Sequence, residues 1–305
     1  LCRHDFEPLS PMFSLLFAVA SQATLALPLP EGHERLFLDA QFLPVEEAEA
    51  IYLRNEDAEG VGQDYSLDGV LVREGAMVDG LADGLHRYYF PNGELESEKH
   101  YELGHRAGEW QWWYDNGKQR EIGRWHAYYD AEGERRAEYE MVAFWGPEGN
   151  QLIKDGTGHY VLLDEQGNKL RDGYYLEGQR DGEWTWTDAD GTVQYRELYD
   201  AGDFVVGWRF DGGRSIRYQA IYTQAALPTS WDRHLMTHFG EQLPGEIEAV
   251  LSIGPEGRVH SATLLKAPES ALEQVETMLL ESPNWIPATW RGQPIAVEHS
   301  LTLAP

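Results

Sequence analysis

Gly84-Leu85-His86-Arg87-Tyr88-Tyr89-Phe90-Pro91-Asn92-Gly93 and Gly108-Glu109-Trp110-Gln111-Trp112-Trp113-Tyr114-Asp115-Asn116-Gly117 are two copies of one pattern, and their reading decides the fold. First and last glycines stand nine apart in both copies, and the copies open 24 residues apart. The nine-residue spacing returns at Gly158 to Gly167 and at Gly182 to Gly191, again opening 24 apart. Degenerate copies surround Trp125-His126-Ala127-Tyr128-Tyr129-Asp130-Ala131-Glu132-Gly133 and Phe144-Trp145-Gly146-Pro147-Glu148-Gly149, and a partial copy starts near Gly207. A fixed period in the twenties with a turn signal in every unit marks a repeat array.

Within a unit the residues alternate. His86, Tyr88 and Phe90 fall on one face of a strand, as do Trp110, Trp112 and Tyr114, then Tyr160 and Leu162, then Trp184 and Trp186. One face is therefore an aromatic stripe. The other carries Arg87, Glu109, Gln111, Glu183, Thr185 and Thr187, with Tyr89 and Trp113 as exceptions. Asn92-Gly93, Asn116-Gly117 and Asp190-Gly191 close hairpins, because Asn, Asp and Gly tolerate left-handed backbone. The second strand of a unit runs through Tyr101 or Tyr199 to Gly104 or Gly202, and a short link leads to the next opening glycine. Ahead of the repeats, residues 36–40 and 50–54 are short apolar runs that read as an entry hairpin, and Asp68-Gly69 closes the next.

The pattern G-x-[HW]-x-[YW]-[YW]-[FY]-x-N-G followed by Y-x-x-G resembles the bacterial variant of the MORN repeat, over about residues 60 to 215. That resemblance implies a long meandering antiparallel sheet that serves as scaffold or binding surface, with no catalysis in the repeat itself. Residues 31–226 carry 19 Lys plus Arg against 40 Asp plus Glu, so lipid binding, sometimes proposed for eukaryotic relatives, is not carried over.

From about Leu227 the glycine period stops. Ile247, Ala249, Leu251 and Ile253 alternate onto one face of a strand, Gly254-Pro255-Glu256-Gly257 turns, and Val259 to Leu265 returns. Pro268 opens a helix with Leu272, Val275, Met278 and Leu279 on one side, and Ser282-Pro283 ends it. A last strand spans Ile295 to Leu303. The order, with Gly245, Gly257, Trp285, Pro287, Ala288, Gly292 and Pro294, resembles the C-terminal domain of the TonB family of envelope energy transducers. The resemblance implies a periplasmic domain that pairs by strand addition with a segment of an outer-membrane protein. Ile295, Val297, His299, Leu301 and Trp285 are then the candidate partner contacts. The fold expectation is a mainly β chain: a hairpin-repeat sheet over 32–225, followed by a small α+β domain of ββαβ order over 228–305.

Residues 12–27, MFSLLFAVASQATLAL, are apolar, end in small residues and precede Pro28 and Pro30, the pattern of a secretory signal peptide over residues 1–26. The lone cysteine, Cys2, lies within it, so a cleaved chain carries no thiol and suits an oxidising compartment. With 24 Lys plus Arg against 52 Asp plus Glu, the net charge of −28 excludes nucleic acid and anionic membrane surface as main partners.

Sites of chemistry are sparse. His234 and His238 share a helix face, yet spacing suggests no third ligand and no adjacent Glu supplies a base, so a polar helix face is the reading and no metal or cofactor is expected. Asp188-Ala189-Asp190-Gly191 has the start of a calcium loop without its later ligands, and its register marks a hairpin turn. No G-x-S-x-G, Walker or dinucleotide motif occurs. The expectation is a non-enzymatic periplasmic or secreted interaction protein. The alternatives are a TonB-type transducer that keeps its N-terminal segment, and a glycan binder using exposed Trp110, Trp112, Trp184 and Trp186.

Overall fold

The computed structural model describes residues 34–40, 42–56, 60–130, 133–164, 166–240 and 242–304. The proposed signal segment lies outside them. Sixteen strands, from Glu34–Leu38 to Arg214–Tyr218, form one sheet in which each is hydrogen-bonded to the strands before and after it in the chain. The pairing is antiparallel, for example Tyr88 opposite Ser97 and Ser97 opposite Trp112. The entry strands are Glu34–Leu38 and Tyr52–Glu56, paired Arg35 to Asn55. On the next strand, Val61–Ser66, a buried Asp64 ties the strands on either side together, taking Arg54 Nε at 2.6 Å on one oxygen and Arg73 Nε at 2.6 Å on the other.

The two ends of the strands use different turns. At one end Gly93 N–H donates to Phe90 O and Phe90 N–H to Glu94 O, and the same pair of bonds recurs at Tyr114–Lys118, Asp164–Asn168 and Asp188–Thr192. Only the terminal glycine of each turn has positive φ, and the register slips beside it at Tyr88/Tyr89 and Trp112/Trp113. This is a type I turn with a glycine bulge, a three-residue loop in which the glycine, and not the Asn or Asp before it, is left-handed. Asn92 and Asn116 act within that turn: their side-chain oxygens accept the N–H groups of Glu94 and Lys118 at 3.0 Å.

At the other end, Leu103-Gly104 (φ 45° and 80°), Glu177-Gly178 (49° and 84°) and Ala201-Gly202 (48° and 92°) make two-residue turns with both central residues left-handed. These pairs are the turns themselves, not links. The strands His105–Trp113 and Gln179–Thr187 therefore start before the opening glycines, and Gly108 sits inside its strand at φ 59°, where the partner register slips between Glu98 and His100. An apparent start glycine is a bulge that re-aims the aromatic residue two positions on.

The backbone divides into two compact units, one of residues 34–184 with 200–202 and one of 185–199 with 203–304. The division falls inside the repeat sheet, earlier than the composition change near Leu227. Within the second unit, Tyr222–Thr223 pairs with Thr289–Trp290, which pairs with Gln293–Pro294, so part of the chain beyond the repeats returns to the segment that leaves them. That unit also holds helix α1 (Trp231–Phe239), the hairpin Ile247–Ile253 and Val259–Lys266, helix α2 (Leu272–Leu280) and the strand Val297–Leu303. Helix α1 precedes the expected strand-strand-helix-strand order.

The hairpin and the final strand make a three-stranded sheet with Ile247–Ile253 in the centre. Ile247, Ala249, Leu251 and Ile253 are all buried, as the alternation predicts, against Val275, Met278, Leu279, Trp231 and Trp285. Leu272 departs from the expected helix face and is exposed, because it is the first residue after a 3-10 turn at Glu269–Ala271.

Candidate functional site

The final strand is an edge. Val297–Leu303 pairs with Ile247–Ile253 on one side, Ile247 opposite Leu303 and Ile253 opposite Val297, and has no neighbouring strand on the other among the described residues. The pleat sends its odd-numbered residues inward: Leu301 is buried, Ile295 and Val297 pack on the core, and the His299 ring lies 5.1 Å from that of Trp285. Trp285 is 2% exposed, with its indole N–H donating to Ser282 Oγ at 3.2 Å. The five residues named from sequence thus hold the strand onto its core. What faces outward is the free backbone edge with Ala296, Glu298, Ser300 and Thr302. The apolar parity of Ile295, Val297 and Leu301 against Glu298, Ser300 and Thr302 matches the observed inner face.

The aromatic stripe of the repeat is built on a second regularity. Trp110 Nε1 donates to His100 O at 2.9 Å, Trp184 Nε1 to Tyr174 O at 3.1 Å and His86 Nε2 to Ala76 O at 2.8 Å, each ten residues back. The three rings are equivalent members of the repeat, and each meets the strand before it at a fixed place. That place lies six residues after each turn glycine: Gly75, Lys99, Gly123, Gly173 and Glu197. Where it is glycine, a ring lies flat on the backbone. A Cβ added at Gly75 would stand 2.4 Å from His86, and one at Gly173 would stand 2.2 Å from Trp184. Rings then stack along the face, Tyr101 to Trp110 at 5.3 Å, Trp110 to Trp125 at 5.7 Å and Trp125 to Tyr139 at 5.1 Å. Each such contact contributes about 0.5–1.5 kcal/mol beyond its buried area.

Trp110, Trp184 and Trp186 are buried and Trp112 is half-buried. Enclosed indoles offer no open platform to a sugar ring, which removes Trp110, Trp184 and Trp186 from the glycan reading and leaves only Trp112 with part of its ring exposed.

At two units the glycine place holds a charge. Glu197 is 0% exposed, accepts Tyr218 Oη–H at 2.5 Å and Tyr199 Oη–H at 2.8 Å, and pairs with Arg291 Nε at 2.8 Å. The guanidinium lies over the rings of Trp186 at 4.5 Å and Tyr195 at 4.8 Å. Here the turn Arg291-Gly292 supplies the cation that the buried carboxylate requires. At the other unit Lys99 stands with its Nζ 4.2 Å from the Tyr88 ring centroid and 5.4 Å from that of Trp110. Burial lowers its pKa to about 8, helped by the nearby charges of Arg106, Arg120 and Arg73 and opposed by Glu96.

His86 carries a pH consequence. Its Nε2 faces a carbonyl, which only accepts, so the ring proton is on Nε2 and Nδ1 is bare and without a partner. Burial holds the imidazole below its ordinary pKa; the Ala76 hydrogen bond works against that shift and Arg73 with it. A base whose folded pKa is depressed supports the fold while neutral, so this contribution is present above about pH 6.5 and is lost as pH falls below it. His86→Trp, which installs the ring the repeat uses at 110 and 184, should flatten the stability loss as pH falls below about 6.5 in urea titrations. An unchanged pH slope would contradict the assignment.

His234 and His238 lie on α1 with ring centroids 4.6 Å apart. His234 Nε2 is committed to Met278 O at 2.7 Å, and no group of three His, Cys, Asp or Glu able to hold a metal occurs among the described residues.

The family model of the MORN repeat variant matches residues 82–103 and 106–124, the two units from which the pattern was read. No curated protein matches the chain. Residues 82–124 are thus MORN-type repeat, and the structure places them as successive antiparallel strands of the sheet.

Proposed function

We propose that this chain is an exported, non-enzymatic protein of the cell envelope that binds a protein partner by strand addition along Val297–Leu303. The repeat sheet is then its scaffold. One observation carries the reading: the final strand is anchored to its core by every second side chain, while its other backbone edge has no strand beside it among the described residues. Strand addition needs such an edge, since main-chain hydrogen bonds supply the affinity and alternate side chains the selectivity. Resemblance of residues 244–303 to the TonB C-terminal domain supports the same edge and suggests an outer-membrane protein as partner. The apolar segment at 12–27 supports export.

A photo-crosslinking residue placed at Ser300 in living cells tests this. It should give one discrete adduct in the envelope fraction, whereas the same probe at Ser261, on the opposite edge strand Val259–Lys266, should not. Equal labelling from both positions, or a chain recovered from the cytoplasm, would overturn the reading.

A further inference from the structure

We propose that the face around Lys99 is a binding site for an oxyanion group, a carboxylate or a phosphate, held between Lys99, Arg120 and Ser97 over the rings of Tyr88 and Trp112. Ser97 and Lys99 are two apart on one strand and share its inner face. Ser97 lies between Tyr88 and Trp112 in the register, and the Lys99 ammonium rests on the Tyr88 ring, so the hydroxyl and the ammonium flank the same aromatic wall.

Three polar groups there lack what buried polar groups ordinarily have. Ser97 Oγ is fully buried without a hydrogen-bond partner, and Arg120 Nε is likewise unpartnered. Lys99 makes no ion pair among the described residues, although the chain carries 52 acidic side chains. The charge of Arg120 reaches Lys99 and raises the cost of keeping it protonated. Two like charges and an orphan hydroxyl on a largely enclosed surface are stabilised by one anion that accepts from all three. Glu121 does not fill this place, since its oxygens take Tyr139 Oη at 2.5 Å and Tyr160 Oη at 3.5 Å. Lys99, Arg120, Tyr88 and Trp112 are half-buried, so an anion reaches the two cations from solvent while the Ser97 hydroxyl lies beneath the surface.

The repeat itself provides the test variant. Glycine stands at this place at Gly75, Gly123 and Gly173, so Lys99→Gly restores a residue that the fold already accepts there. Calorimetry with sodium benzoate and with inorganic phosphate on the full chain should show saturable binding. Lys99→Gly and, separately, Arg120→Gln should each weaken it at least about tenfold, the effect of losing one charge-assisted contact. Lys118→Gln, whose ammonium lies near Glu148, should leave it unchanged. Binding of benzoate alone identifies an organic acid that uses the rings, and binding of both identifies the bare oxyanion as sufficient. No saturable heat with either anion, or binding that survives both Lys99→Gly and Arg120→Gln, would overturn the proposal. Should Lys99→Gly fail to fold, Arg120→Gln with the Trp110 indole N–H resonance as reporter decides it: a shift on adding anion in wild type that persists in the variant refutes the site.

Discussion

Arg291→Ala should cost the unit of residues 185–199 and 203–304 about 3–5 kcal/mol, the usual consequence of leaving a buried charge without its partner. Glu197 is wholly enclosed, and after the substitution two tyrosine hydroxyls alone would face its carboxylate. Lost packing of the guanidinium over Trp186 and Tyr195 adds to the cost. Glu197→Gln removes the charge and keeps an oxygen for one of the tyrosines. In the Arg291→Ala background it should therefore recover part of the loss, giving a coupling well above the roughly 0.5 kcal/mol scatter of independent sites. Urea unfolding of the four proteins measures it. Costs that simply add would show that the two residues do not act as a pair.

Gly173→Ala should be nearly as damaging, by a different route. The new methyl would need the space of the Trp184 ring, 2.2 Å away, and that ring is fixed by its bond to Tyr174 O and by Tyr160 and Tyr175 at 5.6 and 5.0 Å. Either the core strains, at about 1–3 kcal/mol, or the indole leaves its place, at about 3–5 kcal/mol. Gly167→Ala is the control: unlike Gly173 it has positive φ, but its added methyl meets nothing within 4 Å, so only the backbone cost of about 1 kcal/mol applies. Thermal unfolding should rank Gly173→Ala well below Gly167→Ala, and equal midpoints would contradict the ring-on-glycine packing.

Much of this architecture was legible in residue order. The nine-residue glycine spacing and the alternation of Trp110, Trp112 and Tyr114 are enough for a hairpin meander, because turn chemistry and strand pleat both write periodic marks. Positions where a rule is broken were harder to read. Gly84 and Gly108 look like starts and are bulges, since a glycine announces positive φ without saying whether a turn or a strand uses it. Lys99 and Glu197 stand in a column of glycines six residues past each turn. The column appears only when the copies are aligned on the turn rather than on the aromatic run, so the charged members pass as surface residues. Arg291, 94 residues from Glu197 in the chain, has no local signal at all. The inward aim of Ile295, Val297 and Leu301 is what their apolar alternation implies, as at Ile247 to Ile253, and it makes them packing residues of the strand rather than exposed contacts.

Hydrogen exchange of the backbone amides, with and without the partner captured at Ser300, tests the central claim of edge recognition most directly. Amides of Val297–Leu303 should slow by about an order of magnitude or more on binding, as edge N–H groups gain partners, while those of the repeat strands keep their rates. Protection confined to the repeat strands, with the final strand unchanged, would contradict it.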